Sequence, residues 1–140
     1  MQKNSTRAAL HLGNRPLHDQ MKVFDHLLLD IFKSTKLWVE ELLDAKYKML
    51  FFNGNLDLIV AATLTEDFLS GLQWSKSNQF YAAERKVWKV AKEDHSVAGY
   101  VKQVENLYFV VIRGAGHASP HDQPRATFDM ITRFISGKSF

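Results

Sequence analysis

The sequence predicts an α/β fold, with a partial central sheet and flanking helices, and three observations predict it. A short apolar run, Lys48 to Phe52, closes on Asn53-Gly54, as a strand inside a parallel sheet does. Helical patterns stand on both sides of that run, and three strand-like segments with a final helix follow. The order helix, strand, helix, strands, helix is that of the second half of an α/β domain. The most apolar run of the chain, Leu107-Tyr108-Phe109-Val110-Val111-Ile112, has the character of its central strand.

Taken in order, Asn4 or Ser5 caps a short helix through Ala8, Ala9 and Leu10 that Gly13 ends, and Asn14-Arg15-Pro16 forms a turn. From His18 to Lys33 the residues Met21, Phe24, Leu27, Leu28, Ile31 and Phe32 recur at spacings of three and four, which marks one helical face. A second helical pattern runs through Leu37, Trp38, Glu40, Glu41, Leu42 and Leu43, so residues 1–45 form a helical lead-in and residues 46–140 a strand and helix part. After the strand Lys48 to Phe52, the stripe Ala61, Leu64, Phe68 and Leu72 predicts a helix over Leu58 to Leu72. Gln73 to Asn78 is polar and loop-like, and Gln79 to Arg85 suits a helical turn or two. Lys86 to Lys92, Val97 to Glu105 and Leu107 to Ile112 read as strands, the last two joined by a tight Glu105-Asn106 turn in which Asn takes the left-handed conformation. The last helix tolerates Pro124 in its first turn, carries Phe128, Ile131 and Ile135 on its buried face, and stops at Gly137.

The chain has 140 residues, 46% of them hydrophobic, which is enough for one domain with a substantial core. It has no cysteine, so disulfide scaffolds, thiolate metal centres and a catalytic thiol are excluded. The net charge is +3, yet the densest basic stretch, Arg85, Lys86, Lys89 and Lys92, is interrupted by apolar residues and reads as a solvated strand face. No nucleic-acid partner is expected. No run approaches the ~18 apolar residues of a membrane span. The segment Met1 to Arg7 lacks the apolar core of a signal peptide, so the expectation is a cytosolic protein or a chain that starts inside its parent. Trp38, Trp74 and Trp88 are expected to pack rather than to bind substrate, and His11, His18, His26 and His95 show no mutual pattern.

Two polar residues stand where open α/β sheets place ligands and catalysis, just past the carboxyl ends of buried strands. Asp57 follows the strand Lys48 to Phe52, and His117 follows the strand Leu107 to Ile112 across Gly114-Ala115-Gly116. If those strands are neighbours, Asp57 accepts a hydrogen bond from one ring nitrogen of His117 and leaves the other free as a base. Each residue also has a plain reading: Asp57 as the cap of the helix after it, His117 as a surface loop residue. Asp before His is the order of the α/β-hydrolase triad, which also needs a serine in a G-x-S-x-G elbow. None of the nine serines lies in that pattern. Metal binding by His117 and His121 rests on their four-residue spacing alone, and no metal or other cofactor is expected.

The blocks Asn53-Gly54-Asn55-Leu56-Asp57-Leu58-Ile59-Val60, Val97-Ala98-Gly99-Tyr100-Val101 and Arg113-Gly114-Ala115-Gly116-His117-Ala118-Ser119-Pro120, with Pro124 beyond, resemble the carboxyl-terminal part of the serine carboxypeptidases. The branch they are most similar to is the vitellogenic carboxypeptidase-like group, and the resemblance runs from about Arg7 to Lys138. It implies the carboxyl-terminal part of an α/β-hydrolase fold, release of single residues from peptide carboxyl termini, and a lysosomal, vacuolar or secreted setting. It also implies that Asp57 is the acid of the triad and His117 its general base, with the serine, the oxyanion hole and the carboxylate-binding groups upstream. Ala118, where the family often lines its substrate pocket, is small. Asn4-Ser5-Thr6 fits a glycosylation sequon. The expected partners are a peptide substrate in the intact enzyme and either the amino-terminal half or a homologous chain. The isolated chain is expected to be inactive. The alternative is a non-catalytic interaction protein that keeps the fold.

Overall fold

In the computed structural model, residues 4–16 and 20–140 are described. They form α1 (Asn4–Ala9), α2 (Gln20–Leu27), α3 (Lys36–Asp44), β1 (Met49–Gly54), α4 (Ala62–Ser70), α5 (Ser77–Ala82), β2 (Lys86–Trp88), β3 (Gly99–Val104), β4 (Leu107–Ile112), α6 (Ser119–Asp122) and α7 (Pro124–Ser136). The chain divides into two compact units, Met1–Ser34 and Thr35–Phe140.

In the first unit, α1 precedes Gly13 as its sequence suggests, and Gly13 takes φ +54. The helix expected over His18 to Lys33 stops at Leu27, and Ile31 N–H and Lys33 N–H close tight turns on Leu27 and Asp30. His18 lies outside the described residues. The apolar face Met21, Phe24, Leu27, Leu28, Ile31 and Phe32 is exposed, so spacing identified an amphipathic stripe but not its burial. Helical spacing alone does not set helix length.

The second unit is built on a four-stranded mixed sheet of order β1-β4-β3-β2. β4 lies inside it, parallel to β1 from Met49↔Leu107 to Gly54↔Ile112 and antiparallel to β3. Alternation along β4 builds two cores, because successive side chains point to opposite faces. Leu107, Phe109 and Val111 join Val39 and Leu43 of α3, Leu69 of α4 and Phe80 of α5 on one face. Val110 and Ile112 join Trp88, Val101, Ala126 and Met130 on the other, under α7. Helices therefore cover both faces of the sheet, as in α/β folds.

Several elements differ from their sequence pattern. β1 is half-buried and stands at the sheet edge, where a strand buried on both faces is expected. β2 ends at Trp88 because the residues beyond it turn: Ala91 N–H donates to Asp94 Oδ2, and Asp94 N–H to the Ala91 carbonyl. Left-handed backbone at the β3–β4 hairpin falls on Glu105, at φ +46, while the Asn106 side chain is buried and its Nδ2 donates to the Leu43 and Tyr47 carbonyls. Trp74 and Trp88 pack in the cores as expected, whereas Trp38 is 66% exposed. On α7 the buried residues are Ala126, Thr127 and Met130, while Phe128 and Ile135 are exposed and Ile131 is half-buried. Of the stripe chosen from the sequence, Ile131 and Ile135 line an apolar groove with Leu50 and Phe52 of β1, the edge strand, and Phe128 lies outside it.

Candidate active site

The register of β1 and β4 fixes where the site forms. Gly54 and Ile112 are paired at the ends of the two parallel strands, so the segments after them leave the sheet side by side. They are then laced together: Asn55 N–H donates to the Ile112 carbonyl and Leu56 N–H to the Ala115 carbonyl, both at 2.9 Å. A side chain at position 54 would block that approach, since a Cβ there would lie 2.1 Å from the Ala115 carbonyl oxygen. Glycine is the residue that permits such backbone contact.

Asp57 and His117 meet across this seam. His117 Nδ1 lies 2.9 Å from Asp57 Oδ2, and the Asp57 side chain is buried while that of His117 is 54% exposed. The other carboxylate oxygen, Oδ1, accepts from Ile59 N–H at 2.8 Å and Val60 N–H at 3.0 Å. The two oxygens thus have separate partners, the imidazole and a turn; Asp57 does not cap the helix as its plain reading expects, because the N-cap of α4 is Ala61. The turn displaces the helix, which starts at Ala62 rather than at Leu58. Asn53 Nδ2 in turn donates to the Val60 carbonyl at 3.0 Å and ties this turn to the end of β1.

Burial is the largest single influence on the Asp57 carboxyl and acts to raise its pKa. The hydrogen bond from His117, the Val60 and Ile59 N–H groups and the charge of the imidazole outweigh it and hold the carboxyl below its ordinary value. An ionised carboxylate only accepts, so Nδ1 carries the proton of the shared bond, and in the neutral form of the ring Nε2 has a lone pair. With His117 half exposed, that lone pair can act as a base toward a hydroxyl brought to it.

The loop that carries His117 is held by residues that the sequence pattern did not single out for this purpose. Gly114, at φ +70, donates its N–H to Asn55 Oδ1 at 2.7 Å, and its carbonyl accepts from Gln123 Nε2 at 3.2 Å. Gly116 N–H donates to Asp122 Oδ2 at 2.8 Å, and the Gly116 carbonyl accepts from Ser119 Oγ at 3.1 Å. No local signal marks Asn55, whose partner Gly114 is 59 residues away; Asp122 and Gln123 lie only six and nine residues past the glycines they hold. His121 is turned to Asp122, with Nδ1 3.2 Å from Oδ1, and is 88% exposed. No helix among the described residues is long and apolar enough to cross a membrane.

The sequence profile described as serine carboxypeptidase matches residues 1–137. The chain is 48% identical over 134 residues to the probable serine carboxypeptidase CPVL of Pongo abelii, covering 96% of this chain and 28% of that protein. It is 40% identical over 141 residues to the venom serine carboxypeptidase of Apis mellifera, covering all of this chain and 29% of that protein. Among solved structures it is similar to Kex1(delta)p, a prohormone-processing carboxypeptidase from Saccharomyces cerevisiae. That match has a TM-score of 0.61 and 29% identity, over 73% of this chain and 22% of that one. The chain thus spans little more than a quarter of the length of the curated relatives it matches. The mixed sheet, its flanking helices and this structural likeness make the fold that of part of an α/β-hydrolase. With the profile matching nearly its whole length, the chain belongs to the serine carboxypeptidase family.

Proposed function

We propose that the chain supplies the acid and the base of a serine carboxypeptidase, Asp57 and His117, as the carboxyl-terminal portion of a single α/β-hydrolase domain whose serine lies outside this sequence. The observation that carries the proposal is the buried Asp57 carboxylate 2.9 Å from Nδ1 of a half-exposed His117, at the carboxyl ends of two adjacent parallel strands. In the assembled enzyme a serine hydroxyl attacks the carbonyl of the last peptide bond while His117 Nε2 takes its proton. The same nitrogen returns the proton to the leaving amine, and water then releases the acyl group by the same path in reverse. Asp57 fixes the tautomer and stabilises the imidazolium that forms at each step.

The substrate is a peptide with a free carboxyl terminus, and the partner that completes the site is the amino-terminal part of the domain or a homologous chain. A lysosomal or secreted setting agrees with the venom carboxypeptidase among the relatives. The second reading, a non-catalytic chain that keeps the fold and binds a relative, is favoured by one observation: none of the nine serines stands in a nucleophile elbow. Both readings make the isolated chain inactive. Incubation with a serine-directed fluorophosphonate tests this. No label is expected on the isolated chain, and labelling at stoichiometric yield would overturn the assignment of the serine to another segment.

A further inference from the structure

We infer that Asn55 and Asp122 are positioning residues that clamp the loop carrying His117 from opposite sides and so hold the imidazole against Asp57. The inference rests on the Asp57 and His117 reading proposed above. Packing does not hold the ring, because the His117 side chain is 54% exposed; its position has to come from the backbone that delivers it. That backbone is irregular. Gly114 has φ +70, and between β4 and α6 its peptides have no helix or strand partners of their own.

Side chains supply two of those partners. Asn55 belongs to the segment that carries Asp57 and reaches across to take Gly114 N–H at 2.7 Å. Asp122, at the end of α6 on the far side of His117, takes Gly116 N–H at 2.8 Å. Between these two anchors Ala115 is fully buried, and its carbonyl accepts from Leu56 N–H at 2.9 Å. The loop is thereby tied on one side to the segment bearing the acid and on the other to the helix that follows the base. The Asp122 anchor is ionised, since Gly116 N–H and then His121 hold its carboxyl below the ordinary value against the effect of burial. A hydrogen bond to a charged acceptor is the stronger kind. A shift of the loop by about 1 Å is enough to break an oriented contact such as that between His117 and Asp57.

The test uses the chain as it stands, in four variants. Asn55→Ala and Asp122→Ala remove the acceptors; Asn55→Asp and Asp122→Asn keep an oxygen in place. Hydrogen exchange at the Gly114 amide in Asn55→Ala, and at the Gly116 amide in Asp122→Ala, is expected to quicken about tenfold, the loss of one hydrogen bond. The low-field proton resonance of the His117 ring N–H is expected to fade in both, as the ring leaves Asp57, and to persist in the oxygen-keeping variants. Both side chains lie at the surface, so circular dichroism should stay unchanged. Should Asn55→Ala unfold, Asn55→Ser, whose side chain is too short to reach Gly114, replaces it. A ring resonance that disappears in Asp57→Asn but is untouched by the alanine variants overturns the clamp alone. A ring resonance absent from the unmodified chain, or insensitive to Asp57→Asn, overturns the Asp57 and His117 reading and the clamp together.

Discussion

Gly54 and Ala115 meet backbone to backbone, so that a Cβ on Gly54 would stand 2.1 Å from the Ala115 carbonyl oxygen and 2.4 Å from that of Gly116. Neither oxygen is the end of a flexible side chain, so Gly54→Ala must push the segments that carry Asp57 and His117 apart. The expected cost is about 2–3 kcal/mol of unfolding free energy, as for overpacking in a core. Gly71→Ala is the control: Gly71 has an ordinary helical conformation, and an added Cβ would meet the Asp67 carbonyl at 3.4 Å. It should be neutral or stabilise by about 0.4–1 kcal/mol. Urea unfolding of both variants checks the pair, and equal effects would contradict the close approach.

Asp57→Asn keeps an oxygen for the Ile59 and Val60 N–H groups but presents His117 with an amide in place of a carboxylate. The expected result in an enzyme assembled with its serine is a loss of about 10⁴-fold in kcat with little change in fold, as removal of the triad acid produces elsewhere. A loss of less than about tenfold would show that the Asp57 contact with His117 is structural only.

Acid should destabilise the chain only below the ordinary carboxylate range. Alongside Asp57 and Asp122, the carboxyls of Asp44, Asp94 and Glu105 are held low, chiefly by the Ser75 N–H, the Ala91 N–H and Lys46 in turn. Depressed folded-state values mean that the unfolded chain takes up protons first as the pH falls. The stabilisation is therefore complete above the unfolded values, about 4, and drains away as the pH drops through the lower folded ones. Urea midpoints measured against pH should fall below about pH 4 and not level off there.

Phe128 and Ile135, 76% and 72% exposed, should be dispensable to the folded unit. The double variant Phe128→Ser, Ile135→Ser is expected to shift unfolding by less than about 0.5 kcal/mol per site, as surface changes do. It should also reduce self-association, because two exposed apolar side chains are removed, Ile135 from the groove beside the edge strand β1. Met130→Ala, on the same helix but fully buried, should cost about 2–5 kcal/mol. Light scattering and denaturant titration separate the two effects.

The sequence made the candidate site legible because strands write it locally: an apolar run followed by a turn and a polar residue marks the end of a strand, and Asp57 and His117 both stand in that place. The strand Leu107 to Ile112 was legible to the residue for the same reason, being apolar on both faces. What the pattern could not carry was any choice that depends on a neighbour. The stripe Phe128, Ile131 and Ile135 has helical spacing as good as Ala126 and Met130, and only the position of the sheet decides which is buried. The left-handed residue of the hairpin is Glu105 because Asn106 is drawn inward to the Leu43 and Tyr47 carbonyls, a partnership across about sixty residues. Asn55 and Asp122 were hidden likewise, since their partners are backbone amides whose irregular turn exists only once β1 and β4 are side by side.

The most direct test of the central claim is complementation. The chain is mixed with the amino-terminal portion of a relative that carries the nucleophilic serine, and release of the carboxyl-terminal residue from a peptide is followed. Hydrolysis is expected only with both parts present, and is expected to vanish when the chain carries His117→Ala. Hydrolysis by either part alone, or by the mixture at full rate with His117→Ala, would contradict the assignment of acid and base to Asp57 and His117.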